Sequence, residues 1–461
     1  MKIFNALTGE KEVFTPHRPG EVRMYVCGMT VSDDIHLGHA RSAAAFDLFR
    51  RVFEFHGWRV LYVRNITDID DKIIERGRKE GRDPAELAEY YRQRHEEDLE
   101  RLRVPRANVE PKASEHIPEM IRFAEELVRA GLAVVRDGGV YFNPEKISCY
   151  GCLARRRNLT PERTEVPLWK PSRKDEPGWD SPWGRGRPGW HIECSTMARV
   201  FLGDVFDIHG GGEDLLHPHH DTEIAQSAGL TGKIPANFFL HNGLVYLPQE
   251  SRKMSKSLGN VFTLREIFAQ FDPAVVRHYL FSRHYREPMT FRLEDLERSR
   301  VAVDRLEGFL RRSAAAPRPA RLVPEAGERV RDVLKSARVR FLEALEDDLD
   351  TVKALNVVED VLAAGEEYLE SGSAEPRELV RIEELIEEFD ELLDLRPEGA
   401  RTHSPEAVLI EEILKIRGEL RRSESEEALS LARRLEEVLE NAGIEFSDTA
   451  WGTRWKWRQY E

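Results

Sequence analysis

Along the first third of the chain, short apolar runs flank one longer amphipathic stretch. Glu21 to Cys27 is a short run containing Val, Met and Tyr, and it predicts a strand. Leu37 to His56 places Ala45, Leu48, Phe49, Val52 and Phe53 at helical spacing and is closed by Gly57. Arg59 to Ile66 predicts the next strand. Strand, helix and strand in that order form a βαβ unit, whose strands lie parallel. The N-terminal region is therefore expected to be a doubly wound α/β domain. Leu132 to Phe142 predicts a hairpin turning at Asp137-Gly138-Gly139, and the Trp- and Pro-rich stretch Asn143 to Trp190 has little periodicity, so it reads as an insertion between two halves of the sheet. Strand character returns at Asp204 to His209 and at Asn237 to Leu247. From about Phe291 onward the pattern is almost entirely helical, with connectors at Ser313 to Pro324 and Arg396 to Pro405.

Composition narrows the class. A chain of 461 residues exceeds one hydrophobic core and implies several domains. With 33% charged and 41% hydrophobic residues it has the balance of a soluble globular protein, and no apolar run reaches membrane-spanning length. Met1 to Phe14 lacks the apolar stretch of a signal peptide, so a cytoplasmic location is expected. Four cysteines (Cys27, Cys149, Cys152, Cys194) are too few and scattered for a disulfide framework, which turns attention to metal or redox chemistry. A net charge of −14 argues against a broad nucleic-acid-coating surface, yet Arg454, Lys456 and Arg458 alternate with Trp455 and Trp457 near the end, a pairing suited to phosphates and stacked bases.

Two strings carry candidate phosphate chemistry. His36-Leu37-Gly38-His39 opens the first long helix, which places both imidazoles on one face at a helix N-terminus that favours a phosphate, with Gly38 allowing close approach. Lys253-Met254-Ser255-Lys256-Ser257 is a loop with two cations suited to a triphosphate. Read singly, the strings are more simply an ordinary helix start and a solvated basic turn.

Together and in this order, the two strings resemble the signature motifs of class I aminoacyl-tRNA synthetases. Longer stretches resemble the cysteinyl-tRNA synthetases: Cys27-Gly28-Met29-Thr30-Val31, Asn65-Ile66-Thr67-Asp68-Ile69-Asp70-Asp71-Lys72, Gly189-Trp190-His191-Ile192-Glu193-Cys194-Ser195 and His209-Gly210-Gly211-Gly212. The resemblance runs from Lys2 to about Trp457. It implies a Rossmann-like catalytic domain in two halves (residues 1–112 and 190–235) around a connective insertion (113–189), a region carrying the lysine loop (236–295), a helical bundle (296–396) and an anticodon-binding domain (397–461). It implies a cysteine–tRNA ligase that uses ATP with Mg2+, cysteine and tRNA(Cys), acts without a membrane, and is expected as a monomer with a dimer left open.

The resemblance also assigns sites. It implies charge stabilisation by His36, His39, Lys253 and Lys256, ATP contacts at Gly38, Gly210, Gly211, Gly212 and Lys256, and an amino-acid pocket at Thr67 and Trp190. It places one zinc per chain on Cys27, Cys194, His219 and Glu223, a chemically reasonable ligand set in which the last two stand four residues apart on one expected helix face. On the residues alone, buried apolar filler is the better reading for each cysteine, as is core for Trp190 and a turn for the glycines. Asp68, Asp70 and Asp71 are read as structural or charge-pairing groups, and Cys149 and Cys152 are left outside the site. His191 and His220 stay ambiguous. Met29, Ser32 and His217 depart from the residues common in the family. In the second half, Asp347 to Thr351 is expected inside a helical segment ending near Ala354-Leu355, and Ile444 to Trp455 resembles the anticodon-reading tail. A ligase joining cysteine to an amino sugar, and a non-catalytic zinc- and tRNA-binding relative, are the competing readings.

Overall fold

The computed structural model describes residues 1–161, 165–246, 262–316, 326–372, 374, 376–397, 405–421, 425–442, 444–449 and 452–457. At its centre is a four-stranded parallel sheet of β1 (Glu21–Val26), β2 (Arg59–Arg64), β3 (Phe206–Gly212) and β4 (Ala236–Asn242), in the order β4-β3-β1-β2. Helix α1 (Leu37–Phe55) makes the crossover from β1 to β2, as its apolar spacing predicts. Every residue of β1 is buried, because both faces of the sheet are covered. Side chains alternate between the faces: Met24 joins Phe46, Phe49 and Phe53 of α1, while Tyr25 joins Ile192, Ile224 and Phe239 on the other side. The strand order reverses between β1 and β3. The crevice beyond their carboxyl ends is thus the place where a doubly wound sheet takes a ligand.

The expected hairpin forms from Ala133–Arg136 and Gly139–Phe142, and the stretch after Asn143 is more regular than its weak periodicity suggests, adding Val166–Pro171 and Gly186–Pro188 so that the four pair in sequence as a second, antiparallel sheet. Val140, Phe142, Leu168 and Trp169 bury against Ile117, Met120 and Phe123 of the helix Ile117–Arg129. The last two strands, of six and three residues and interrupted by Pro, carry too few alternations to be read from the pattern.

Helices Leu293–Ala314, Ala326–Glu346, Thr351–Glu370 and Pro376–Leu393 follow, and their core is continuous with the α1 face of the sheet. Asp347 to Asp350 does not lie within a helix, contrary to expectation; it separates two. Asp348 and Leu349 have φ of 65° and 51°, and Asp350 caps the next helix by accepting from Lys353 N at 3.0 Å. The buried Asp348 carboxylate accepts from Phe4 N (2.9 Å), Tyr285 Oη (2.9 Å) and Arg286 Nε (2.7 Å), and Asp tolerates the left-handed backbone such a corner needs.

Residues Met1–Pro397 form one compact unit and Glu398–Glu461 a second. The second contains helices Pro405–Arg421 and Glu426–Asn441 and an antiparallel hairpin, Ile444–Thr449 with Gly452–Trp457, around Leu414, Leu439 and Ile444. The nearly all-helical reading of this half missed that hairpin, whose alternation of Arg454, Trp455, Lys456 and Trp457 has the two-residue period of a strand. Among the described residues no helix is long and apolar enough to cross a membrane.

Candidate active site and metal centre

A cavity of about 700 Å³ opens at the carboxyl ends of β1 and β3. Cys27, Thr67, Trp190, Cys194 and His219 line one part of it, and His36, Gly38 and His39 another. Gly212 also lines it, whereas Gly210 and Gly211 do not. These glycines end strand β3 instead of forming the expected loop or turn. Gly210 is required by packing, since a Cβ there would lie 2.3 Å from the Phe46 ring of α1. Lys253 and Lys256 lie outside the described residues.

The four expected metal ligands converge. Cys27 directly follows β1, Cys194 lies in α2 (Trp190–Leu202), His219 sits in the π-helical turn Leu216–His220, and Glu223 is in the first turn of α3 (Asp221–Thr231). Asp221 anchors that turn, accepting from Leu153 N (2.9 Å) and Ala154 N (3.0 Å) while lying 2.9 Å from His217 Nδ1. One ligand atom from each of Cys27, Cys194, His219 and Glu223 falls within 4.8 Å of all the others, and all four residues are buried. Glu223 Oε1 is 3.0 Å from His219 Nε2 and accepts from Cys27 Sγ at 3.4 Å.

Electrostatics divide the set sharply. Burial raises the Cys194 thiol, but hydrogen bonds with Cys27 and His219 outweigh it and bring its pKa down to about 6. Burial lowers His219, but Glu223 and Cys194 outweigh it and hold the imidazole at about 10. Burial opposes the Glu223 carboxylate, yet His209 and His219 keep it well below the usual range, while burial together with Cys194 and Glu223 pushes Cys27 well up. At neutral pH the cluster therefore holds a thiolate, a carboxylate, an imidazolium and a thiol. A dication that displaced the two protons of His219 and Cys27 would leave the formal charge of the cluster unchanged, so this donor set fits zinc without burying new net charge.

Several residues around the ligands were not assigned from the sequence. Asn65 Oδ1 accepts from Gly28 N at 2.8 Å and lies 3.6 Å from Cys194 Sγ, and its Nδ2 donates to Thr67 Oγ1 at 3.1 Å. Thr67 in turn donates to the buried Glu193 Oε2 at 3.1 Å. A Cβ at Gly28 would fall 1.6 Å from the Asn65 carbonyl oxygen, so only glycine lets β1 and the Asn65 segment come this close. His191 Nδ1 lies 2.8 Å from His219 Nδ1, and Trp190 packs its ring 4.4 Å from that of His219. Behind them His209, His220 and His241 are buried as a group; in the sequence His209 stands inside a family-like stretch without a role, His220 is ambiguous and His241 is not singled out.

The helix start is built differently from the expectation. His36 is not in the helix but is its N-cap, with φ −105° and ψ 169°. Its Nδ1 accepts from Gly38 N at 3.1 Å and His39 N at 3.4 Å, His39 Nδ1 accepts from His36 N at 3.5 Å, and the two rings stack 3.7 Å apart. The amides of Gly38 and His39 are thus already engaged by a reciprocal histidine cap. As expected, the nearby aspartates serve structure. Asp68 accepts from Ser114 N at 2.9 Å, Asp70 caps a helix through Lys72 N at 2.8 Å, and Asp71 pairs with Lys170 and Arg187 at 2.8 and 2.5 Å.

The profile of the family described as tRNA synthetases class I (C) catalytic domain matches residues 13–301. The chain is 42% identical to the cysteine–tRNA ligase of Desulforudis audaxviator over 99% of its own length and 100% of the relative's, and 40% identical to that of Thermococcus onnurineus over 99% of both. The chain belongs to the cysteine–tRNA ligase family of class I tRNA synthetases. In fold it resembles the methionyl-tRNA synthetase of Mycobacterium tuberculosis, solved in complex with methionyl-adenylate, at a TM-score of 0.57 with 14% identity, covering 90% of this chain and 88% of that one. None of the departures noted within the family, Met29, Ser32 and His217, belongs to the candidate ligand set: Met29 packs against the α1-face core, and His217 bonds Asp221. Cys149 and Cys152 enter no metal-sized cluster among the described residues, and burial pushes Cys152 up to about 12.

Proposed function

We propose that the chain activates cysteine with ATP to form cysteinyl-adenylate and passes the cysteinyl group to the 3′ end of tRNA(Cys), with a zinc on Cys27, Cys194, His219 and Glu223 selecting the substrate thiolate. The observation that carries this reading is the convergence of those four buried side chains on the wall of a cavity that also contains the His36–His39 helix start. Bound zinc supplies a ligand position that a thiolate fills well and a hydroxyl poorly, which is how cysteine is separated from serine, a near-isostere that shape rejects only about a hundredfold. Glu223, the one oxygen donor of the four, would be the residue to give way to a third sulfur at a bound zinc.

The chain's own residues do the rest by orientation and charge. Thr67, held between Asn65 and Glu193, and Trp190 flank the amino-acid end. The imidazoles of His36 and His39 meet the phosphates of MgATP, joined by Lys253 and Lys256 as charge moves to pyrophosphate. No protein nucleophile is needed, because the cysteine carboxylate attacks the α-phosphate directly. The domain after residue 396 would read the anticodon by stacking and base-edge bonds, and one chain supplies every residue used, which favours a monomer. The test is charging of unfractionated tRNA with labelled cysteine and ATP, with serine in parallel and zinc-edge spectra alongside. Cysteine charging without serine charging, and a new sulfur neighbour of zinc on adding cysteine, are expected. Pyrophosphate exchange with no charging of tRNA would redirect the reading to another acceptor, and no new sulfur would remove the selection mechanism.

A further inference from the structure

The metal cluster has a second face. Besides the four residues above, a ligand atom from each of Cys27, His209, His220 and Glu223 lies within 4.8 Å of all the others, and these residues too are buried. The two sets share Cys27 and Glu223, and the shared groups are arranged for both. Glu223 turns Oε1 toward the outer set, 3.0 Å from His219 Nε2, and Oε2 toward the inner one, 3.4 Å from His209 Nε2. Cys27 Sγ is 3.4 Å from Glu223 Oε1 and 3.5 Å from His209 Nε2.

We infer that Cys27, His209, His220 and Glu223 form a second position for a divalent metal ion of the zinc class, overlapping the first and facing away from the cavity. An independent observation points to a ligand here. Nδ1 of His220 is paired with His241 Nε2 at 2.8 Å, but Nε2 of this residue, with 0% exposure, has no hydrogen-bond partner. Buried polar atoms without partners are rare because each costs stability, and an ion at this position would satisfy His220 Nε2. The His220–His241 contact is the arrangement by which an outer group orients a metal-bound imidazole. Ligand separations of this size suit a tetrahedral ion with one sulfur, two nitrogens and one oxygen.

The two positions differ in what they can reach. Cys194 and His219 line the cavity, whereas His209 and His220 do not. An ion held by the inner set is shielded from an incoming thiol; one held by the outer set is presented to it. Because two ligands are common, a single ion passes between the sets without leaving Cys27 or Glu223. The inner position is thus a resting place for the metal of the proposed reaction, and the inference rests on that metal assignment.

Zinc content and the zinc-edge spectrum of full-length protein test it. The double variant Cys194→Ala/His219→Ala, checked by circular dichroism for folding, should retain about one zinc per chain with one sulfur and two imidazole neighbours. A folded double variant that binds none at concentrations loading the unaltered protein overturns the inner position alone. Absence of zinc from the unaltered protein overturns both positions and the proposed selection mechanism. A second comparison does not depend on that variant folding. Without cysteine, the unaltered protein should show more imidazole and less sulfur at zinc than His209→Asn/His220→Asn, and identical spectra overturn the inference.

Discussion

The two faces of the central sheet meet the cost of burial in different proportions of apolar packing and polar pairing. On the α1 face the core against the sheet is mainly apolar: Met24, Phe46, Phe49 and Phe53 run without a break into Phe341 and Phe389 of the later helices, whose rings stack 3.9 Å apart, and the buried charges on this side, such as Arg277 with Asp47, are paired at helix contacts. On the other face, behind β3, side chains that prefer water are enclosed, with Asp207, His209, His219, Asp221, Glu223 and Gln226 each at most 1% exposed. The first face is stabilised by transfer from water, at about 25 cal/mol per Å² of apolar area, and tolerates any filling of similar volume and shape. The second combines apolar packing around Tyr25, Ile192, Ile224 and Phe239 with side chains held by specific pairings, and several of its atoms, among them His209 Nδ1 and His241 Nδ1, lack even those. A fold that keeps such a wall carries it for chemistry, since an apolar wall would be more stable.

Breaking the polar wall at its most connected residue should have the largest effect. Glu223→Ala removes a ligand of both metal positions and leaves His209 and His219 facing an uncompensated space. Cysteine charging should fall by about a thousandfold or more, roughly 4 kcal/mol, with zinc content falling in parallel. Steady-state charging and metal analysis on the same preparation check it; an active variant with no metal would end the zinc reading. The matching break on the apolar face is Phe341→Ala. It should lower stability by about 3–5 kcal/mol in denaturant unfolding while zinc content and activity per folded molecule stay unchanged. If Phe341→Ala also strips the metal, the two faces are not independent.

The comparison explains what could be read in advance. α1, β1 and β2 follow from spacing because they are long or flanked by clear breaks, and both faces of β1 are apolar enough to demand cover. Pro-rich strands such as Val166–Pro171 carry no such rhythm, and the hairpin at Ile444–Thr449 hides among helices. The ligand set was available through the family resemblance, while its surroundings were not: Asn65, Glu193 and His209 stood inside quoted motifs without a role, because their significance lies in who faces them across the sheet. The His36 cap was misjudged for a related reason. Spacing placed two histidines on one helix face, but whether a residue is the first of a helix or its cap depends on a backbone angle that spacing does not encode.

Acidity offers a finer test of the polar wall. Between the pKa of Cys194, about 6, and that of His219, about 10, metal entry must displace the His219 proton and that of Cys27, whose thiol burial and its neighbours push up. Both protons are lost on binding, so raising the pH removes competitors and strengthens binding. Zinc affinity should rise about a hundredfold per pH unit from roughly pH 7 to 9, about 2.7 kcal/mol per unit. Competition with a chelator of known pH behaviour measures it. A flat profile would mean that the metal-free site does not hold those protons.

The smallest predicted effect concerns how the wall reaches the amino-acid end. Asn65 touches three things at once: the Gly28 amide beside Cys27, the neighbourhood of Cys194 Sγ, and the Thr67 hydroxyl. Removing its amide with Asn65→Ala leaves every metal ligand in place but frees Thr67 to rotate away from the cavity. The KM for cysteine in pyrophosphate exchange should rise about tenfold, roughly 1.4 kcal/mol, with kcat and zinc content within about twofold. Thr67→Val, which removes the hydroxyl that Asn65 holds, should give a similar KM, and the double variant should be little worse than either alone, because both changes cut the same link. Full additivity would mean that Asn65 acts through the Gly28 amide instead, and the route from the buried wall to the amino-acid pocket would then run along β1.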